Sequence, residues 1–134
     1  MASFTKINSF VENLAHKAVA LNSTITVALT NTAHTSTWDE VGDLTQITYT
    51  NLSARTVFPT SSAQTDGTYK LVLPDLVLTA SGAINPFRYV YLFDDASTTD
   101  KLICYYDYGS SIIMGNGDTF TLDFNATSGV VTIA

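Results

Sequence analysis

Charge is scarce in this chain. Of its 134 residues, 13% are Asp, Glu, Lys or Arg, against roughly 25% in an ordinary soluble domain. Ser, Thr and Asn must therefore supply much of the polar surface. A hydroxyl costs far less to desolvate than an ion, so such a surface suits burial against another protein. Positive charge is scarcest: Lys6, Lys17, Arg55, Lys70, Arg88 and Lys101 are never adjacent, and the net charge is −6. Phosphate backbones are held by clustered Lys and Arg, which excludes nucleic acid as a direct partner.

Cysteine is nearly absent. Cys104 stands alone, so no internal disulfide can form. Long apolar runs are missing too; none approaches the roughly 20 residues that cross a membrane as a helix. The opening MASFTKINSF develops no signal-peptide core before Asn13. The expectation is a chain made, and kept reduced, in a cytoplasm, with no membrane partner.

The residues of catalysis are equally few. His16 and His34 are the only histidines and Glu12 and Glu40 the only glutamates. No G-x-S-x-G elbow is present to present a nucleophile. Cys104 alternates with Leu102 and Tyr106 in a strand-like run, which makes it a small core hydrophobe. Paired carboxylates could work as acid and base, but neither glutamate lies in a strand facing another acid. Asp94, Asp95 and Asp100 flank one turn, and Asp39, Glu40 and Asp43 share a loop; hard oxygens of this kind suit calcium. Neither group has D-x-D-x-D-G spacing, and acidic turns are usually just solvated. The expectation is no catalytic residue, no metal, no cofactor and no small-molecule substrate.

Apolar residues, by contrast, are plentiful at 46%, enough for one core and one domain spanning 1–134. Residues 6–21 carry Ile7, Phe10, Val11, Leu14, Ala18 and Leu21 at spacings of three and four, which predicts an amphipathic helix ended by Asn22. It either docks on a partner as an arm or packs over its own sheet. From about residue 23 the period becomes two. Ile25, Val27 and Leu29 predict a half-buried strand over 23–30, with further strands at 46–50, 68–73, 75–80, 86–93, 101–106, 110–114, 119–124 and the C-terminus. In 86–93, Phe87, Tyr89, Tyr91 and Phe93 are expected on one face as an aromatic stripe. The fold class is mainly β, an antiparallel β-sandwich or jelly-roll-like body with one N-terminal helix. Periodicity leaves jelly-roll, immunoglobulin-like and open-barrel topologies open.

Two polar stretches interrupt this pattern, 31–45 with Trp38 and 53–67 with Phe58–Pro59. Long loops usually have a job. Together with the helix face and the closely spaced tyrosines, they give the candidate protein-interface residues Phe10, Leu14, Trp38, Phe58, Tyr105 and Tyr108. Exposed tyrosine favours interfaces of any kind, so core packing, a protein partner and a glycan all remain readings of the aromatic set.

Several segments point further. SSAQTDGTYKLVL at 61–73, LTASGAINPFRYVYLFDD at 78–95, YYDYGSS at 105–111 and GDTFTLDFNATSGVVTIA at 117–134 stand with TKINSFVENLAHKAVAL at 5–21 and LTNT at 29–32. Together they resemble the capsid cement, or decoration, proteins of tailed bacteriophages. G-T-Y-K-L and P-F-R-Y are the most specific parts, and 33–60 the least similar. The resemblance implies a jelly-roll-like structural virion protein without enzymatic activity. It would be assembled in the host cytoplasm and sit on the outer surface of the capsid. Its partners would be the major capsid protein and further copies of itself, as a dimer or trimer. The competing expectation is a tail, neck or fibre-associated adhesion module; a small β-sandwich hydrolase is a third class.

Overall fold

A computed structural model describes residues 2–134. In chain order its elements are β1 (Ser3–Lys6), α1 (Phe10–Ala15), β2 (Ile25–Thr30), a 3-10 turn at Val41–Asp43, β3 (Thr56–Val57), β4 (Ser61–Thr65), β5 (Thr68–Val72), β6 (Leu76–Thr79), β7 (Ile84–Asp94), β8 (Lys101–Met114), β9 (Thr119–Leu122) and β10 (Val131–Ile133). All ladders are antiparallel. A five-stranded sheet runs β1-β8-β7-β2-β3; a three-stranded sheet β10-β5-β4 and a pair β6-β9 make up the rest. The fold is a mainly β, antiparallel sandwich with one short N-terminal helix, as the period-two pattern predicts.

One face of the large sheet meets β9 and the segment after it. Tyr106 packs against Phe124, while Phe87 and Tyr108 set their ring edges against Phe120 at 5.5 and 5.1 Å. The opposite face is covered by the 31–45 loop, where His34 and Trp38 lie over Tyr91. β2 is therefore roofed on both sides and buried at all six positions, not half-buried. Its polar side chains find partners inside: Thr26 meets the Thr56 hydroxyl at 3.0 Å and donates to Asp95, and Thr30 donates to Thr45 O. Unpaired, each would cost about 1–3 kcal/mol.

The helix is much shorter than 6–21. Residues 3–6 pair with β8 instead, and α1 ends at Ala15, where Lys17 adopts φ +62°. A short helix gains little once nucleation is counted, whereas β8 offers a ladder. Val19 and Leu21 still reach the core, but from irregular chain.

Other boundaries shift for local reasons. The expected strand at 46–50 is reduced to a bridge between Gln46 and Thr30. Tyr49 takes its place: its hydroxyl accepts from Leu29 N–H at 2.9 Å and donates to Gln46, under the Arg55 guanidinium 3.6 Å from the ring centre. The connection expected at 53–67 contains β3 and β4, with a β4–β5 hairpin closed by Asp66 (φ +50°) and Gly67 (φ +83°). Two central residues with positive φ mark the turn whose twist suits a hairpin. Finally, 101–106 and 110–114 are one strand. Pairing passes from Tyr89↔Asp107 to Phe87↔Ile112, and the extra residues bulge at Gly109, φ +83°. That shift also divides the aromatic stripe: Tyr89 packs on Tyr105, Phe87 on Phe120.

Candidate interaction surface

The 31–45 loop is held down from both ends. Asp39 accepts from Ser9 Oγ and Asn13 Nδ2 of the helix segment and forms an ion pair with Lys101 at the start of β8. Lys101 also reaches Glu40 at 3.3 Å. Partial burial opposes ionisation of Asp39, but its donors together hold its carboxyl below the usual range, led by Lys101. The same contacts, the Asp39 bond first, raise Lys101. Asp43 Oδ2 caps the adjoining turn by accepting from the N–H groups of Asp39 and Glu40 at 2.8 and 3.1 Å. These acids therefore serve as internal acceptors and a lysine counter-charge.

Above the sheet, His34 stacks on Tyr105 at 4.5 Å, and Tyr91 stacks on the same ring at 5.1 Å. His34 Nδ1 lies 3.0 Å from the Tyr91 hydroxyl. Desolvation lowers the His34 pKa and raises that of Tyr91. Both shifts favour neutral rings, joined by one hydrogen bond between Nδ1 and the Tyr91 hydroxyl.

The second acidic turn is also consumed internally. Asp94 is buried and accepts from Ala20 N–H, Ser23 Oγ and Ala96 N–H at 2.8–3.0 Å, tying the chain after the helix to the β7–β8 hairpin. Burial raises the pKa of Asp100, assisted by Asp95, Asp94 and Glu40. Among the described residues, no group of three His, Cys, Asp or Glu side chains could hold a metal ion. Cys104 is fully buried, with its thiol pushed up by desolvation.

The six candidate contact residues do not form one surface. Phe10 is 2% exposed and belongs to the core, because the short helix turns it inward; it is unavailable as a contact. Leu14 is partly buried against that core, and Trp38 and Tyr105 form the aromatic layer beneath the loop. Tyr108 is half-buried beside Phe120. Phe58 alone among the six is largely open, at 63%.

Other apolar side chains stand free: Phe4 at 45%, Val77, Ile113 and Ile133, together with Val11, which the helical spacing places on the apolar face. Phe4 carried no separate signal, because it stands three residues before Ile7, in step with the helical spacing. It borders a groove of about 670 Å³ between β1–β8 and residues 121–130, together with Tyr106, Tyr108 and Phe124. Asp123 is the only charged residue of its lining.

Among the described residues, no helix is long and apolar enough to cross a membrane. No protein-family model, curated protein or solved structure matches this chain.

Proposed function

We propose that this chain is a structural virion protein, a cement or decoration protein on the outer surface of a tailed-phage capsid. The observation that carries the reading is Phe58, an aromatic ring left 63% exposed on the short link between β3 and β4. It lies in a stretch, residues 56–64, that carries no charged side chain, and uncharged polar groups can be desolvated against a shell at modest cost. The sequence resemblance points to the same family, whose jelly-roll-like body this sandwich would represent.

In this reading the protein binds and does not catalyse, and it needs no cofactor. It bridges capsomers of the major capsid protein in the expanded shell and binds the unexpanded precursor weakly. The expanded lattice is then stabilised by the difference between the two binding free energies. Many copies each contribute a small amount, and the lattice multiplies them. A net charge of −6 keeps the protein away from packaged DNA and favours the outside. A symmetric homo-oligomer, dimer or trimer, fits the local symmetry of a shell.

The test is co-sedimentation of the purified protein with expanded capsids and with unexpanded procapsids. Saturable binding to expanded shells alone supports the cement role. Binding to neither shell removes it and favours the second reading, a tail, neck or fibre-associated adhesion module. That alternative draws its support from the groove, where aromatic rings and one acid sit together at one edge of the sandwich.

A further inference from the structure

β1 ends the five-stranded sheet, and among the described residues its outer edge pairs with nothing. The direction of its backbone groups follows from one contact. Ile7 N–H donates to Ile103 O at 3.1 Å, so residue 7 faces β8, and in an antiparallel ladder the facing residues alternate. Thr5 and Ser3 therefore also bond to β8, opposite Tyr105 and Asp107. The N–H and C=O groups of Phe4 and Lys6, and of Ala2 if the strand is continued, point outward.

An exposed edge of this kind is a template for another strand. Two copies of β1 related by a two-fold axis meet antiparallel, and outward groups must meet outward groups. The register that uses all of them sets Phe4 against Phe4 of the partner subunit and Lys6 against the partner's Ala2. Side chains alternate across a strand, so Ala2, Phe4 and Lys6 share a face. That face is the groove side, since Ala2 and Phe4 both line the groove.

Charge decides between this occupant and others. The groove wall holds Tyr106, Tyr108 and Phe124, and its only charge is Asp123, which forms no ion pair among the described residues. Lys6 is exposed and likewise makes no ion pair there. A lysine on an edge strand normally discourages pairing because its ammonium would be buried alone. In the register above, it enters the partner's groove beside an unpaired carboxylate and aromatic faces that attract a cation.

The geometry points to a two-fold homodimer in which the β1 strands of two copies join the large sheets into one continuous sheet, with Lys6 of each copy filling the other's groove against Asp123. The groove is incomplete in the single chain and is closed by the second. This interface stands apart from the capsid reading, because it is measured on the purified chain alone and either can fail without the other.

Sedimentation equilibrium on the isolated protein is the test, supported by cysteine crosslinking. The wild-type chain is dimeric at about 100 µM, a range in which a micromolar Kd gives nearly complete association. Lys6→Glu and Asp123→Lys each weaken the dimer by about tenfold or more, and the double charge swap restores it. Phe4→Pro abolishes the dimer while keeping the far-ultraviolet circular dichroism of the fold, because the N–H it removes bonds nothing in the single chain. Under oxidation Phe4→Cys crosslinks to its own counterpart, whereas Thr5→Cys, on the other face and opposite the partner's Ser3, does not. A wild-type chain that is monomeric or trimeric at about 100 µM overturns the proposal. A dimer indifferent to both charge reversals, or Phe4→Cys crosslinking no faster than Thr5→Cys, overturns it as well.

Discussion

Lys101, at the start of β8, forms an ion pair with Asp39 in the 31–45 loop, and the same carboxylate receives Asn13 Nδ2 at 2.6 Å. One acid thus joins the helix, the loop and the central hairpin. Lys101→Met removes the cation and leaves Asp39 with two neutral donors. The expected loss is about 1 kcal/mol, as fits a pair still partly in water, read from urea unfolding. An unchanged midpoint would show that the loop is held by its aromatic residues alone.

The same carboxylate sets an acid limit. Asp39 has a folded pKa below its unfolded value, so its contribution is complete above about pH 4 and fades as pH falls through the folded pKa. Thermal melts of wild type and Asp39→Asn, followed downward from neutral pH, should converge at low pH. A constant gap between the curves would contradict the ion-pair account.

His34 behaves in the same sense for a different reason. Burial lowers its folded pKa below the unfolded value, so the unfolded state takes up its proton first. Stability is complete above about pH 6.5 and declines as pH drops toward the folded pKa. His34→Phe keeps the stack on Tyr105 and removes this titration. The variant's melting temperature should vary less than wild type's between about pH 7.5 and 5.5, and equal slopes would exclude His34 as the source.

Two glycines should respond unequally to alanine. Gly109 has φ +83° with open space around it, so Gly109→Ala costs only backbone strain, about 1 kcal/mol. Gly129, at φ +76°, would place a Cβ 2.7 Å from the Leu71 carbonyl and 2.5 Å from Lys70 Cγ. Gly129→Ala must move β10 off β5 and should cost roughly twice as much or more. Chemical denaturation of the two variants side by side checks the order.

Trp38 and Phe58 separate folding from contact. Trp38→Ala opens the layer over Tyr91 and should cost about 2–3 kcal/mol for a partly buried ring. Phe58→Ser removes a ring that is mostly in solvent and should leave the melt within about 0.5 kcal/mol of wild type. In the cement reading it nevertheless weakens sedimentation with expanded capsids. Full capsid binding by Phe58→Ser would remove this residue from the contact.

The period-two signal of Ile25, Val27 and Leu29, and the apolar alternation of Phe120 and Leu122, made the sandwich readable because each depends on local chain geometry alone. The helix was overextended for the same reason. Ile7 and Leu21 satisfy a helical period, yet both are buried from outside the helix, Ile7 through its bond to Ile103. The β4–β5 hairpin did carry a local mark in Asp66–Gly67, and β5 was readable at 68–73, but β4 is too rich in Ser, Gln and Thr to look like a strand. The destination of Trp38 was not legible at all. It depends on Asp39 finding Lys101, a pairing that no spacing in the sequence announces. Phe58 was legible as an exposed ring because Pro59 ends any strand beside it.

The pairing of Ser3 with Asp107 joins residues about 100 positions apart, so β1 closes one of the longest loops in the molecule. During synthesis the N-terminal strand must wait, unpaired, until nearly the whole chain has emerged and the β7–β8 hairpin has formed. Closing so large a loop is slow, which makes docking of β1 a late event in folding. Until then both of its edges are open, and the segment is exposed to nascent neighbours on the same message. Chain order therefore makes β1 one of the last strands to be sheltered, and the charge of Lys6 is what discourages premature association during that interval.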